Sequence, residues 1–269
     1  MNLSGTLLPL LPRPEGGVIA LVGAGGKTGA LFGLGNELAG AVMTTTTHLF
    51  DPRQEQGREY DHLLLDPALA EPAGDQGQRA IGPWQPGPIL PGRRVVLAAQ
   101  ADPATGKLAG IHPSRVESLR EFWPYIIVEA DGAKRRPVKA PAGHEPVVPP
   151  GADLVAGFVG LGCLGLPMDE STVHRPERFG PVAGCEPGAP IRLEHLAALV
   201  RSPQGLFRGA PAGARRVLVL NQADACALDP AALLRELQAS GPVPADLILV
   251  CSLRDPRPGA RVLARAQPL

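Results

Sequence analysis

The chain has 269 residues, with 26 Lys plus Arg against 26 Asp plus Glu and 44% hydrophobic residues. That length suffices for one large α/β domain, or one with a small second unit, and for a full core. The balanced charge supplies no global field for nucleic acid or an anionic membrane, so ligands must be sought in local sites.

Residues 3–12 are apolar but short and lack a basic leader or a small-residue cleavage site, and no run of 18 apolar residues follows. A soluble cytoplasmic protein is the expectation, with neither nucleic acid nor a membrane as partner. The cysteines, Cys163, Cys185, Cys226 and Cys251, form no C-x-x-C pair, which argues against structural zinc or a disulfide framework. Cys226 and Cys251 read as small core residues. Cys163 does too, although its glycine-rich turn G-L-G-C-L-G leaves a reachable thiol as the alternative.

Gly17 to Thr28 reads G-V-I-A-L-V-G-A-G-G-K-T: a buried strand, a glycine turn and a helix start. Without Cβ atoms, Gly23, Gly25 and Gly26 let the backbone around Ala24 curl and aim its N–H groups at an anion, aided by the positive end of the helix dipole. Lys27 would reach the outer phosphates of a nucleotide and the Thr28 hydroxyl would hold Mg²⁺. The eight-residue phosphate-loop pattern is not met, because its first glycine falls on Leu21. A dinucleotide fingerprint also fails, because its third glycine falls on Thr28. What remains is the shorter G-x-x-G-K-T, and its bland alternative is a glycine-rich turn with an incidental lysine.

Leu31, Phe32, Leu34 and Leu38 then predict a helix over 27–39, ending near Gly40. A short strand, 41–43, runs into Thr44, Thr45, Thr46, Thr47 and His48. In an open α/β sheet, hydroxyls and an imidazole at a strand's carboxyl end lie where ligands bind, although threonine is also a plain strand former. Ten Pro or Gly among residues 71–92 predict a surface loop or flap. Beyond it the pattern gives a strand at 95–98, a helix at 113–122 opened by Pro113, and a strand at 125–128. Such alternation implies a parallel sheet.

That last strand delivers Glu129 and Asp131, whose side chains share a face and could approach one Mg²⁺; a capped turn is the simpler alternative. The proline-rich stretch 133–150 carries Lys134, Arg135, Arg136, Lys139, His144 and Glu145. It is open between a solvated loop and an anion clamp. Further on come a strand at 154–159, the segment Val173 to Glu177 with His174 and Arg175, an amphipathic helix at 192–201 and a strand at 217–220. Asn221, Gln222, Ala223 and Asp224 sit one residue away from N-K-x-D, a guanine-reading signature, with a polar turn as the alternative. A helix from Asp229 and Pro230 to about Ala239 and a strand at 247–251 close the pattern.

Together G-A-G-G-K-T, T-T-T-T-H, V-E-A-D-G-A-K, K-A-P-A-G-H-E-P and V-H-R-P-E resemble the YqeC family of accessory proteins of selenium-dependent molybdenum hydroxylases. The resemblance implies work on making or inserting the selenium cofactor of those enzymes. It carries over Gly23 to Thr28, Thr45 to His48, Glu129 to Gly132, Lys139, His144, Glu145, His174 and Arg175. Glu129 to Gly132 is also similar to the E-x-x-G strand end of nucleotide-dependent metallocentre chaperones, and the short phosphate loop resembles that of Mur ligases.

The expectation is a single α/β domain, a three-layer sandwich with a mostly parallel sheet and a phosphate-loop nucleotide site, with a subdomain over 140–190. Its ligands would be GTP or ATP with Mg²⁺ at Thr28, Glu129 and Asp131, and its partner a molybdenum hydroxylase or another maturation factor. Lys27 would neutralise phosphate charge, Glu129 or Asp131 would position metal or water, and His48, His144 and His174 would face a second substrate. A ligase or small-molecule kinase, and a nucleotide-gated binding protein without turnover, are the other functions the residues allow.

Overall fold

Strand β1 (Gly17–Gly23) is buried along its whole length, and its side chains divide by parity between two cores. Val18, Ala20 and Val22 enter one, Ile19 and Leu21 the other. A continuous apolar run without polar alternation therefore marks a central strand covered on both faces.

The computed structural model describes residues 2–13, 15–54, 59–72, 93–254 and 262–267. After β1 come β2 (Ala41–Thr45), β3 (His48–Phe50), β4 (His62–Leu65), β5 (Val95–Ala98), β6 (Gln100–Asp102), β7 (Lys107–Ala109) and β8 (Tyr125–Glu129). They are followed by β9 (Val138–Lys139), β10 (Leu154–Gly160), β11 (Val173–His174), β12 (Arg215–Asn221), β13 (Leu247–Cys251) and β14 (Val262–Ala266). The helices are α1 (Ser4–Leu7), α2 (Lys27–Glu37), α3 (Pro176–Ala183), α4 (Leu193–Arg201) and α5 (Pro230–Ala239).

Nine strands make one sheet in the order β14-β13-β12-β10-β1-β8-β2-β5-β4. Every pairing in it is parallel except the edge pair β13 and β14. One face packs on residues of α3, α4 and α5, including Phe179, Leu196, Leu199, Leu233 and Leu237. The other packs on α1 and α2 through Leu7, Leu31 and Leu34. The expected α/β class with a mostly parallel sheet is what the chain forms.

The segment read as a subdomain, 140–190, holds β11, which pairs in parallel with β9 just before it, and its Val173, Phe179 and Ala183 share the core of the main sheet. A separate antiparallel three-stranded sheet, β3-β7-β6, stands beside the ligand end of β2. The helix expected over 113–122 is instead two 3₁₀ turns, Pro113–Arg115 and Glu117–Glu121. His112 Nδ1 and Ser114 Oγ lie 2.8 Å apart and the Ser118 hydroxyl donates to the Arg115 carbonyl. Such local bonds compete with an α-helical ladder. The loop expected over 71–92 lies outside the described residues from 73 onward.

Candidate functional site

The carboxyl ends of β1, β8, β10 and β12 converge on the turn Ala24–Gly26 because these strands are neighbours in the sheet. Gly23, Gly25 and Gly26 take φ of 89°, 84° and 142°. A Cβ on Gly25 would run into the Gly160 backbone, and one on Gly23 into the Phe158 carbonyl. These glycines are therefore fixed by close backbone approach as well as by conformation.

Around the turn lies a set of buried charges. Lys27 is 3% exposed; its Nζ donates to the Gly23 carbonyl and lies 3.2 Å from Asp131 Oδ1. Asp131 Oδ2 accepts from the Gly23 N–H at 3.1 Å and faces Lys139 Nζ at 3.0 Å. The Thr28 hydroxyl donates to Glu129 Oε2 at 2.8 Å. Because β8 pairs directly with β1, both carboxylates reach the turn without a long side-chain excursion. Thr28 and Glu129 bring two oxygen donors together, with Asp131 beside them. That set fits Mg²⁺, which takes oxygen ligands and needs only one or two carboxylates when phosphates supply the rest.

Lys139 also pairs with Glu145 at 2.7 Å, and Glu145 takes a two-point contact from Arg175 at 2.6 and 3.2 Å. Burial alone raises the Glu145 pKa, but the hydrogen bonds and charges of Arg175 and Lys139 outweigh it and hold it at about 2. Burial, then the charges of Arg175, Lys139 and Lys134, push His174 down to about 4. His174 is thus a neutral imidazole at pH 7, an acceptor or base rather than a cation.

A cavity of about 1250 Å³ opens over this cluster. Its walls include Gly25 to Thr28, Glu129, Glu145, His174, Arg175 and Asn221, and also Thr47 and His48 where the chain passes from β2 into β3. The other threonines serve the fold: Thr44 donates to the Leu97 carbonyl, Thr45 to that of Glu129 and Thr46 to that of Val147, each at 2.7 to 2.8 Å. Thr45 and Thr46 do not line the cavity, and nor does His144, whose side chain is 79% exposed. Asn221 is buried and stitches the site. It donates to the Gly25 carbonyl at 2.8 Å and accepts from the Leu253 N–H at 3.0 Å. Asp224 is exposed on the next turn, its N–H donating to Ser252 Oγ at 3.0 Å, while Gln222, Leu253 and Arg254 beside it face the cavity.

Phe50, Lys107 and Arg254 line the cavity without having been singled out in the sequence. No local motif marks them, and only the β3-β7 pairing brings Phe50 opposite Lys107. Cys163 is fully buried, and burial pushes its thiol up to about 12, which removes the reachable-thiol alternative. Among the described residues no helix is long and apolar enough to cross a membrane, and no cluster of three His, Cys, Asp or Glu could hold a metal ion.

The family model described as YqeC protein matches residues 19–177. That span contains the phosphate-like turn, both carboxylates and the His174-Arg175 pair. A protein of Escherichia coli (strain K12) described as "Uncharacterized protein YqeC" is 35% identical over 231 residues, covering 82% of each chain. No solved structure matches significantly. With a family match over more than half its length and a relative 35% identical over 82% of each chain, the chain belongs to the YqeC family.

Proposed function

We propose that the β1-α2 turn binds a nucleoside triphosphate with Mg²⁺, and that the protein uses it on a second substrate in the cytoplasm. In this reading it is an accessory in assembling or inserting the selenium cofactor of selenium-dependent molybdenum hydroxylases. The observation that carries the proposal is the buried set Lys27, Glu129 and Asp131, with half-buried Thr28, around three glycines of positive φ. A buried lysine held by a carbonyl and a carboxylate can exchange either partner for a phosphate oxygen, and the glycine turn leaves backbone N–H groups to complete the cradle.

When bound, Mg²⁺ would supply charge neutralisation at the phosphate oxygens. Thr28 and Glu129 would hold it, with Asp131 exchanging onto it or onto its water. His174, neutral and on the cavity wall, would accept a proton from the second substrate. Arg175 and Lys139 would keep that region positive.

Lys27→Arg tests this more cleanly than Lys27→Ala, because the latter strips a partner from buried Asp131. Calorimetry with Mg-GTP and Mg-ATP should show affinity falling about 100-fold or more for Lys27→Arg at unchanged thermal stability. Wild-type-like affinity in the variant, or no triphosphate bound by wild type up to millimolar, overturns the reading. Screening for phosphorylated or ligated product separates transfer to a substrate from slow hydrolysis and from nucleotide-gated binding without turnover.

One observation favours GTP over ATP. Asn221 ties the end of β12 to the glycine turn and to Leu253, which sets Gln222 on the cavity wall and exposed Asp224 two residues beyond it. In this reading Asp224 accepts from the guanine ring N–H and exocyclic amine. Asp224→Asn should then shift preference from GTP toward XTP in competition binding, and an unchanged base preference removes the assignment.

A further inference from the structure

Four residues other than glycine take positive φ among the described residues: Lys134 (46°), Arg135 (61°), Arg175 (68°) and Gln222 (63°). All four line the cavity over the phosphate-like turn. The other ten positive-φ positions among the described residues are glycines, so most positions of that backbone conformation carry no side chain. A side chain retained at a strained position points to a task for that side chain. Three of the four are cations. The cavity wall as a whole carries seven Lys or Arg against four Glu, in a chain whose total charge is zero.

Two of these cations meet an aromatic ring. Phe50 is 40% exposed at the end of β3, with the Arg135 guanidinium 4.8 Å and Lys107 Nζ 5.5 Å from its ring centroid. A phenyl ring left at a cavity rim, flanked by cations from two separate segments, offers a flat apolar face and positive charge in one place. The volume of about 1250 Å³ also exceeds the roughly 300–1,000 Å³ that holds a single small-molecule ligand. A triphosphate seated on the glycine turn leaves this end of the cavity open.

We propose that Phe50, Lys107, Lys134 and Arg135 form a second subsite that takes a planar aromatic anion, a ring bearing a phosphate or carboxylate. The ring packs on the exposed part of Phe50 beside the Arg135 guanidinium, which itself lies 4.8 Å from the Phe50 ring centroid, while Lys107 and Lys134 take the negative group. The assignment deepens the two-substrate reading of the cavity by naming the chemical class of the second ligand.

The probe is 2-naphthyl phosphate, followed by fluorescence with and without saturating Mg-GTP, with 2-naphthol as its uncharged control. Wild type should bind it in the micromolar to sub-millimolar range. Phe50→Ala should weaken it about tenfold, as loss of one stacking face does, and Lys134→Ala with Arg135→Ala about tenfold or more with a shallower salt dependence. 2-Naphthol should bind much more weakly, and Mg-GTP affinity should be unchanged in all these variants. The subsite is overturned if wild type does not bind the probe up to millimolar, if the variants bind it as wild type does, or if naphthol binds equally well. Because the probe is read without nucleotide as well, failure of GTP binding leaves this result interpretable on its own.

Discussion

Glu145 and His174 respond to acid in the same direction for opposite reasons. Glu145 is held at about 2 in the fold against an ordinary value of 4.5, so its contribution is complete above about 4.5 and is lost as pH falls toward 2. His174 is held at about 4 against 6.5. The fold therefore resists charging it, and stability falls as pH drops from about 6.5 to 4. Urea unfolding should accordingly show declining stability from pH 7 downward in two overlapping stages. Glu145→Gln should cost on the order of 2–3 kcal/mol at pH 7 and flatten the stage below 4.5, since the amide cannot hold the full charge of Lys139 and Arg175. His174→Asn should flatten the upper stage. An NMR midpoint for His174 near 6.5 would contradict the proton-accepting role proposed for it, whereas one near 4 that rises in Lys134→Ala would show that neighbouring charge adds to burial in lowering it.

The strands that build the site were legible as apolar runs because each is buried on both faces: β1, β8, β10, β12 and β13 all read that way. The small sheets were not. β3, β6 and β7 span three residues each and β9 and β11 two, and several of their side chains are polar and solvated, so no hydrophobic period marks them. The glycine turn was legible, but its mate was not, since Asn221 lies 196 residues from Gly25, to whose carbonyl it donates. The burial of Lys27 was not legible either, because the partners that permit it, Asp131 and the Gly23 carbonyl, are set by the strand pairing. Two substitutions test this element. Gly25→Ala forces a Cβ into the Gly160 backbone at a φ of 84° and should abolish triphosphate binding while lowering the unfolding midpoint. Asn221→Ala should cost about 1–3 kcal/mol in chemical denaturation, because it leaves the Gly25 carbonyl and the Leu253 N–H without their partner. Wild-type stability in that variant would mean that the turn is held by its glycines alone.

Across the whole molecule, the two ends of the site are joined by charges of alternating sign: Lys27, Asp131, Lys139, Glu145 and Arg175, at successive separations of 3.2, 3.0, 2.7 and 2.6 Å. The chain starts on the phosphate-like turn, passes the end of β8, crosses on β9 and ends at the residue before α3. Each link is mostly buried, so solvent screens it little and a change at one end alters the balance at the next. If a triphosphate draws Lys27 away from Asp131, Asp131 gains freedom to approach the metal. Lys139 then shifts its weight toward Glu145, and Glu145 is shared differently with Arg175 beside His174. The predicted consequence is that Mg-triphosphate changes amide hydrogen exchange at residues 138–145 and 173–177 as well as at 23–28. Glu145→Gln keeps the shape but removes the charge in the middle of the chain, so there the response should stop at 23–28 and 129–132. A coupling of about 1–3 kcal/mol is the usual scale for such linked sites, which corresponds to roughly a 5- to 150-fold change in protection. If the wild-type response never leaves the turn, or if Glu145→Gln transmits it undiminished, the ion chain is structural support and the two ends of the cavity act independently.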